Sequence, residues 1–242
     1  VARHMFAHNA TPDDIFDGIE ALLHEKGVVL IENQYAFETL QTGAFDQIYH
    51  EHMFYYSVKN MKNYLESHSY DLNDILLTDI HGGSIVFVAS RATTFPISQM
   101  VNRQLDNEDR LLKDDLIFKE FLDGIELVKS NSLNEINSDI KKQKKIIAYG
   151  APAKAFTMFS ALDLDNSKIS ACVDTSVTKI GKLFPVFNIP VISEKDLSEI
   201  DYDTVLVTAW NYKEDILKRS DTLFKKGTKL IFPLPQFEII YV

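Results

Sequence analysis

From Lys144 onward, short apolar runs alternate with amphipathic ones. KKIIAYG (144–150) reads as a strand, APAKAFTMFSAL (151–162) as a helix and ISACVD (169–174) as a second strand. EKDLSEI is a short helix, DTVLVTAW (203–210) a third strand, KEDILKRSDTLFKKG a helix and TKLIFP (228–233) a fourth strand. Continuous apolar strands suit a sheet buried on both faces, and the intervening helices supply the covering layers. Such alternation leads to a parallel sheet with right-handed crossovers. Residues 145–242 are therefore predicted to form one small α/β domain.

The first part has a different grammar. TPDDIFDGIEALLHEK (11–26) predicts a helix, with Thr11 as cap, Pro12 at the first helical position and acids in the first turn. Ile15, Ile19, Leu22 and Leu23 make its apolar face, and Gly27 ends it. GVVLIEN (27–33) follows as a strand buried on both faces. A helix over 58–69 turns Met61, Tyr64 and Leu65 inward. DILLTDI (74–80) and SIVFVAS (84–90) then pair as an antiparallel hairpin across His81-Gly82-Gly83, where Gly-Gly supplies positive φ. Residues 107–145 carry Leu111, Leu112, Leu116, Ile117, Phe121, Ile125 and Leu127 at helical intervals and predict one or two helices, so that 101–144 forms a connector. The opening VARHMFAH reads as the end of a buried strand running into a loop, with no initiator Met, as expected of a fragment or a processed product.

Composition narrows the function. Hydrophobic residues make up 45%, enough for a sizeable core. Lys and Arg number 25 against 35 Asp and Glu, a formal charge of −10. That argues against nucleic acid and anionic membranes as partners, since both need a basic surface. A small anionic ligand remains compatible, because a few local cations or N–H groups hold a phosphate. With Cys172 the single cysteine, neither an intrachain disulfide nor a cysteine zinc cluster can form. A reducing, cytoplasmic setting is the expectation. No apolar run approaches the roughly 18 residues of a membrane-spanning helix.

All seven histidines lie in the first third, so proton chemistry near neutral pH belongs there. The densest stretch is FDQIYHEHMFYYS (45–57), where Tyr49, His50, Glu51 and His52 are consecutive. Three readings compete. A metal site would use His50 and His52, completed by His4, His8 or Glu51. An aromatic loop with satisfied histidines would be purely structural. An acid–base site would orient a histidine with a carboxylate and stabilise an oxyanion with a tyrosine hydroxyl. His24 and His68 fall on helices and read as packing or surface residues. His81-Gly82-Gly83-Ser84 reads as a turn whose N–H groups could also line an anion. Gly150-Ala151-Pro152-Ala153-Lys154 follows a strand and opens a helix, the place where phosphate meets free N–H groups. Asp174 ends the next strand, where nucleotide-binding units keep a ribose-contacting acid. GAPAK is neither GxGxxG nor a P-loop.

Taken in order, FDQIYHEHMFYYS, HGGS, AYGAPAK, VDTSVTKIGKLFPVFNIPV and AWNYKEDI make the chain similar to the sugar C-methyltransferase family. Its members use S-adenosylmethionine to methylate carbon 3 of nucleotide-activated 4-keto-deoxy sugars. The resemblance implies an α/β architecture in which residues 1–100 are the back part of a class I methyltransferase, Rossmann-like sheet ending in a hairpin. A second, small Rossmann-like parallel-sheet domain would occupy 145–242. It implies His52 as the base, with Glu51, Tyr49 and His8 around it. His81, Gly82, Tyr55, Gly150, Lys154 and Asp174 would meet a nucleotide-activated keto sugar, and no metal is implied. The glycine-rich loop that holds the methyl donor in such enzymes is absent from this sequence. Accordingly a missing amino-terminal portion or a homo-oligomer is expected, and a non-catalytic module that only binds the nucleotide sugar is the rival reading.

Overall fold

A computed structural model describes all 242 residues. The chain gathers into two compact units, residues 1–41 with 50–121 and residues 42–49 with 122–242. Both are α/β.

The first unit holds strand β1 (Ala2–Arg3), helix α1 (Pro12–Leu22), strand β2 (Val29–Gln34), most of helix α2 (Ala36–Thr42), helix α3 (Val58–Ser67), strands β3 (Tyr70–Thr78) and β4 (Ser84–Arg91), and helix α4 (Gln99–Leu111). Its sheet runs β1-β2-β4-β3, with β1 parallel to β2 and β4 antiparallel to both its neighbours. The strand end at the start, the buried strand and the hairpin are all as expected. Phe6, Phe16, Ile31, Tyr35, Met61, Leu65, Tyr70 and Phe87 fill the core beneath α1 and α3. Helix α4, expected in a connector, joins this core through Val101, Leu105 and Leu111.

The details differ in instructive ways. Helix α1 stops at Leu22, which is 89% exposed, and Phe16 is its buried residue instead. Thr11 donates to Asp14 at 2.6 Å and accepts no helix N–H. Strand β3 starts at Tyr70, before the expected 74, because a bulge between Leu72 and Asp74 accommodates Asn73. Asn73 then holds the incoming chain, donating to the Phe95 carbonyl at 2.9 Å and accepting from Ser98 N at 2.7 Å. The hairpin turn is five residues long, since Thr78 pairs with Ser84.

Helix α5 (Leu116–Lys141) contributes most of its length to the second unit. Leu116 and Leu127, two of the apolar residues at helical intervals, are exposed, while Val128 and Ile136 are buried. The second unit continues with strand β5 (Ile146–Tyr149), helix α6 (Ala155–Ala161), strands β6 (Cys172–Val173), β7 (Val191–Ile192) and β8 (Thr204–Val207), helix α7 (Lys213–Leu223), and strands β9 (Lys229–Phe232) and β10 (Glu238–Tyr241). The order is β10-β9-β8-β5-β6-β7, parallel throughout except for β10. Two-residue β7 and the terminal β10 are too short or too exposed to show as apolar runs. Buried Asp139 of α5 accepts from Thr204 at 2.7 Å and pairs with Lys229 at 2.5 Å, tying the helix to the starts of β8 and β9.

The chain runs outward from β5 through β6 to β7, then returns to lay β8 on the other side of β5. Such a reversal opens a crevice at the carboxyl ends of the two central strands. Gly150 stands there with φ +97°, and a Cβ on it would lie 2.5 Å from Cβ of Ala209. We expect Gly150→Ala to destabilise the second unit by about 2–4 kcal/mol, combining the left-handed backbone with overpacking. Denaturant unfolding of the full chain measures it, and adding Ala209→Gly should restore part of the loss.

Candidate functional site

In the first unit, the segment that follows β1 carries His4 and His8 and meets the segment that carries His52. The β1 strand runs into His4 and a single helical turn, Phe6–His8. The segment after it in space is 53–54: Met53 N donates to the Ala7 carbonyl at 2.8 Å and Phe54 N to the same oxygen at 3.3 Å. These bonds bring the rings of His8 and His52 edge to face at 4.8 Å, with Tyr55 5.9 Å from His52. His52 and Tyr55 are half-buried, whereas His50 and Glu51 are exposed. The boundary between the units falls between Tyr49 and His50, and Tyr49 belongs with the second unit. No group of three His, Cys, Asp or Glu side chains converges in a way that could hold a metal ion.

A second cluster lies at the carboxyl end of β1. His4 donates its backbone N–H to the Glu32 carbonyl at 2.8 Å, and its Nε2 stands 3.4 Å from Oε1 of Glu32. Arg3 donates to the other carboxylate oxygen at 2.5 Å. His81 meets His4 edge to face at 4.6 Å. His4 and His81 both adopt left-handed backbone, φ +47° and +56°, which is uncommon outside glycine and asparagine. Burial pushes the His4 imidazole below its usual range, against the opposing pull of Glu32. The turn at 81–83 does not offer an anion cradle, because Gly82 N and Gly83 N bond to the Asp79 and Ile80 carbonyls. Arg3, His4 and Glu32 were invisible as a group in the sequence. Their only sequence signal is that they close two strands that turn out to be adjacent and parallel.

Two buried carboxylates anchor the histidine-bearing segment, and neither carried a signal. Glu108, within a charge-dense helix, accepts from Tyr35 OH at 2.8 Å, Val58 N at 2.6 Å and Lys59 N at 3.0 Å. It thereby sits at the positive end of α3 and fixes where the segment ends. In the second unit Asp46 is fully buried, accepting from Trp210 Nε1 at 2.6 Å. Lys154 lies 3.5 Å from the same carboxylate and 3.9 Å from the centre of the Trp210 ring. Burial raises the Asp46 carboxyl and lowers the Lys154 ammonium, and each opposes the shift of the other. The expected phosphate-contacting lysine is thus a buried partner of Asp46. His24 and His68 are structural: His68 packs on Phe16 and Tyr64, and His24 Nδ1 accepts from Lys26 N.

The crevice at the strand-order reversal is a pocket of about 480 Å³. Gly150 and Asp174 line it together with Tyr149, Lys179, Tyr212 and Arg219. Asp174 accepts from Ala151 N at 2.6 Å and from Ser176 N at 2.7 Å, and stands 3.7 Å from Lys179. Lys179 also donates to the Ala151 carbonyl at 2.8 Å. Glu194 accepts from Tyr149 OH and from Arg219, the latter at 2.6 Å. Helix α6 starts only at Ala155, so 151–154 form a turn between Gly150 and the helix.

The His4 geometry makes a prediction about pH. Its folded pKa lies below the ordinary value of about 6.5, so the unfolded chain binds the proton more readily. The stability from neutral His4 is fully present above that value and is lost as pH falls through the folded pKa. Melting temperatures from neutral pH into the acid range should fall less steeply for His4→Asn, which tolerates the left-handed backbone, than for the unaltered chain.

Comparison with known proteins agrees with this architecture. A family profile described as the C-methyltransferase C-terminal domain matches residues 79–235. The C-methyltransferase NovU of Streptomyces niveus is 31% identical over 240 residues, covering 98% of this chain. The chain spans 57% of that relative's length. No helix is long and apolar enough to cross a membrane. The chain belongs to the C-methyltransferase C-terminal domain family.

Proposed function

We propose that the chain supplies the proton-abstracting part of an S-adenosylmethionine-dependent C-methyltransferase acting on carbon 3 of a nucleotide-activated 4-keto-deoxy sugar. The observation that carries this reading is the His8–His52 pair beside Tyr55, held at the carboxyl end of a parallel strand pair. A carbon next to a ketone loses a proton only if a base takes it and donors hold the charge that moves to oxygen. His52 is the base: the C3–H bond breaks, its electron pair forms the enolate, and the proton goes to the imidazole. His8 steadies the resulting imidazolium by packing against it. Tyr55 and His81 face the sugar, Gly82 shapes the turn that carries His81, and Glu51 orients the base or contacts the sugar. In the second unit, Gly150 and Asp174 are assigned to nucleotide recognition.

S-adenosylmethionine supplies an electrophilic methyl group when bound. The residues of the first unit do not fit as its cradle. The β1 strand leads into the turn Phe6–His8, and β2 passes through Tyr35 directly into α2. Neither junction has a glycine at positive φ. The chemistry assigned to this chain is therefore enolate formation. The same observation favours, as a second reading, a module that binds the nucleotide sugar without turning it over.

The two readings separate in heavy water. With a thymidine-diphosphate 4-keto-6-deoxy sugar and no methyl donor, the proton on carbon 3 should exchange faster than in buffer, followed by NMR. His52→Ala should slow that exchange by about 100-fold or more, the usual worth of a positioned base. Bound sugar with no exchange would establish the binding module instead, and unchanged exchange in His52→Ala would remove His52 from the role.

A further inference from the structure

We infer that the crevice of the second unit is a nucleoside site, one that recognises base and ribose and leaves phosphates outside. The sequence pattern at GAPAK favours phosphate, so the backbone accounting decides the matter. A phosphate at this position needs free N–H groups or an unpaired cation. Gly150 N donates to the Val173 carbonyl at 2.7 Å. Ala151 N is taken by Asp174 at 2.6 Å, and Pro152 has no N–H. Lys154 is buried against Asp46. The two cations of the pocket are engaged as well, Lys179 with Ala151 O and Asp174, Arg219 with Glu194.

What the pocket does offer is acceptors and apolar faces. Asp215 brings a carboxylate and Asp174 the lone pairs left beside its two N–H bonds, while Tyr149, Tyr212 and Ile216 bring ring and aliphatic surface. A ligand that fits has a flat apolar face and hydroxyl or N–H donors, which describes a nucleoside. At about 480 Å³ the space falls in the range of small-ligand sites, and it lies where the strand order reverses. The approach of Gly150 to Ala209 keeps backbone, not side chain, at the base of the crevice. This deepens the proposed function, and it rests on that reading only for the source of the nucleoside: the nucleotide sugar or the methyl donor.

Saturation-transfer NMR on the full chain tests it, with thymidine, adenosine and inorganic pyrophosphate as probes. One nucleoside should receive saturation on its base protons and keep it in excess pyrophosphate. Thymidine would identify the sugar nucleotide as the source and adenosine the methyl donor. Tyr212→Ala, at an exposed position, and Ile216→Trp, which fills the pocket, should each weaken binding by about tenfold or more in proteins whose melting temperatures show them folded. No transfer to either nucleoside, displacement by pyrophosphate, or unchanged binding in both variants would overturn the site. Because proton exchange is read at the histidines of the first unit, its failure with nucleoside binding intact would count against the proposed chemistry alone.

Discussion

Two buried carboxylates hold the ends of the stretch that carries His50 and His52. Removing a carboxylate from water costs several kcal/mol unless donors replace the solvent. Asp46 is compensated by the Trp210 indole and the Lys154 ammonium, Glu108 by the Tyr35 hydroxyl and two backbone N–H groups at the start of α3. Moving either carboxylate away from these donors would leave a buried charge uncompensated. Asp46 anchors the chain in the second unit, and Val58 and Lys59 are anchored in the first. An aromatic-rich loop with exposed His50 and Glu51 would otherwise have little reason to keep one conformation.

The histidines owe their grouping to topology. Strands β1 and β2 are parallel neighbours, so their carboxyl ends coincide, and β4 enters at the same edge because it runs antiparallel to β2. Loops separated widely along the chain, at 4–8, 50–55 and 79–83, meet there as a consequence. Burial lowers the His4 pKa against the opposing pull of Glu32, while His52 packs on His8 and Tyr55. Four imidazoles are thus gathered in two ring pairs, His4 with His81 and His8 with His52.

In the second unit the nucleotide-binding topology persists while one local interaction changes its chemistry. Asp174 occupies the end of the strand where a ribose-contacting acid is expected, yet it also takes the Ala151 N–H that a phosphate would need. Strand order favours a ligand at this crevice, where the Ala151 N–H is already engaged.

Fold class was legible in the sequence because burial on both faces forces apolar runs. Strands β2, β4, β5, β8 and β9 showed this way, as did the core positions Met61 and Leu65. Gly150 was legible as the residue that ends β5, and the YHEH stretch and the family resemblance singled out His52 as a candidate base. Strands β7 and β10 escaped because two buried residues, or an exposed edge, leave no periodic trace. Leu22 was misplaced because helical spacing cannot tell where a helix stops. The fates of Lys154, Asp46, Glu108 and the His4–Glu32 pair were settled only in three dimensions. A charged side chain looks solvated in a sequence, and whether it is buried depends on partners tens of residues away that only tertiary packing brings within hydrogen-bond reach.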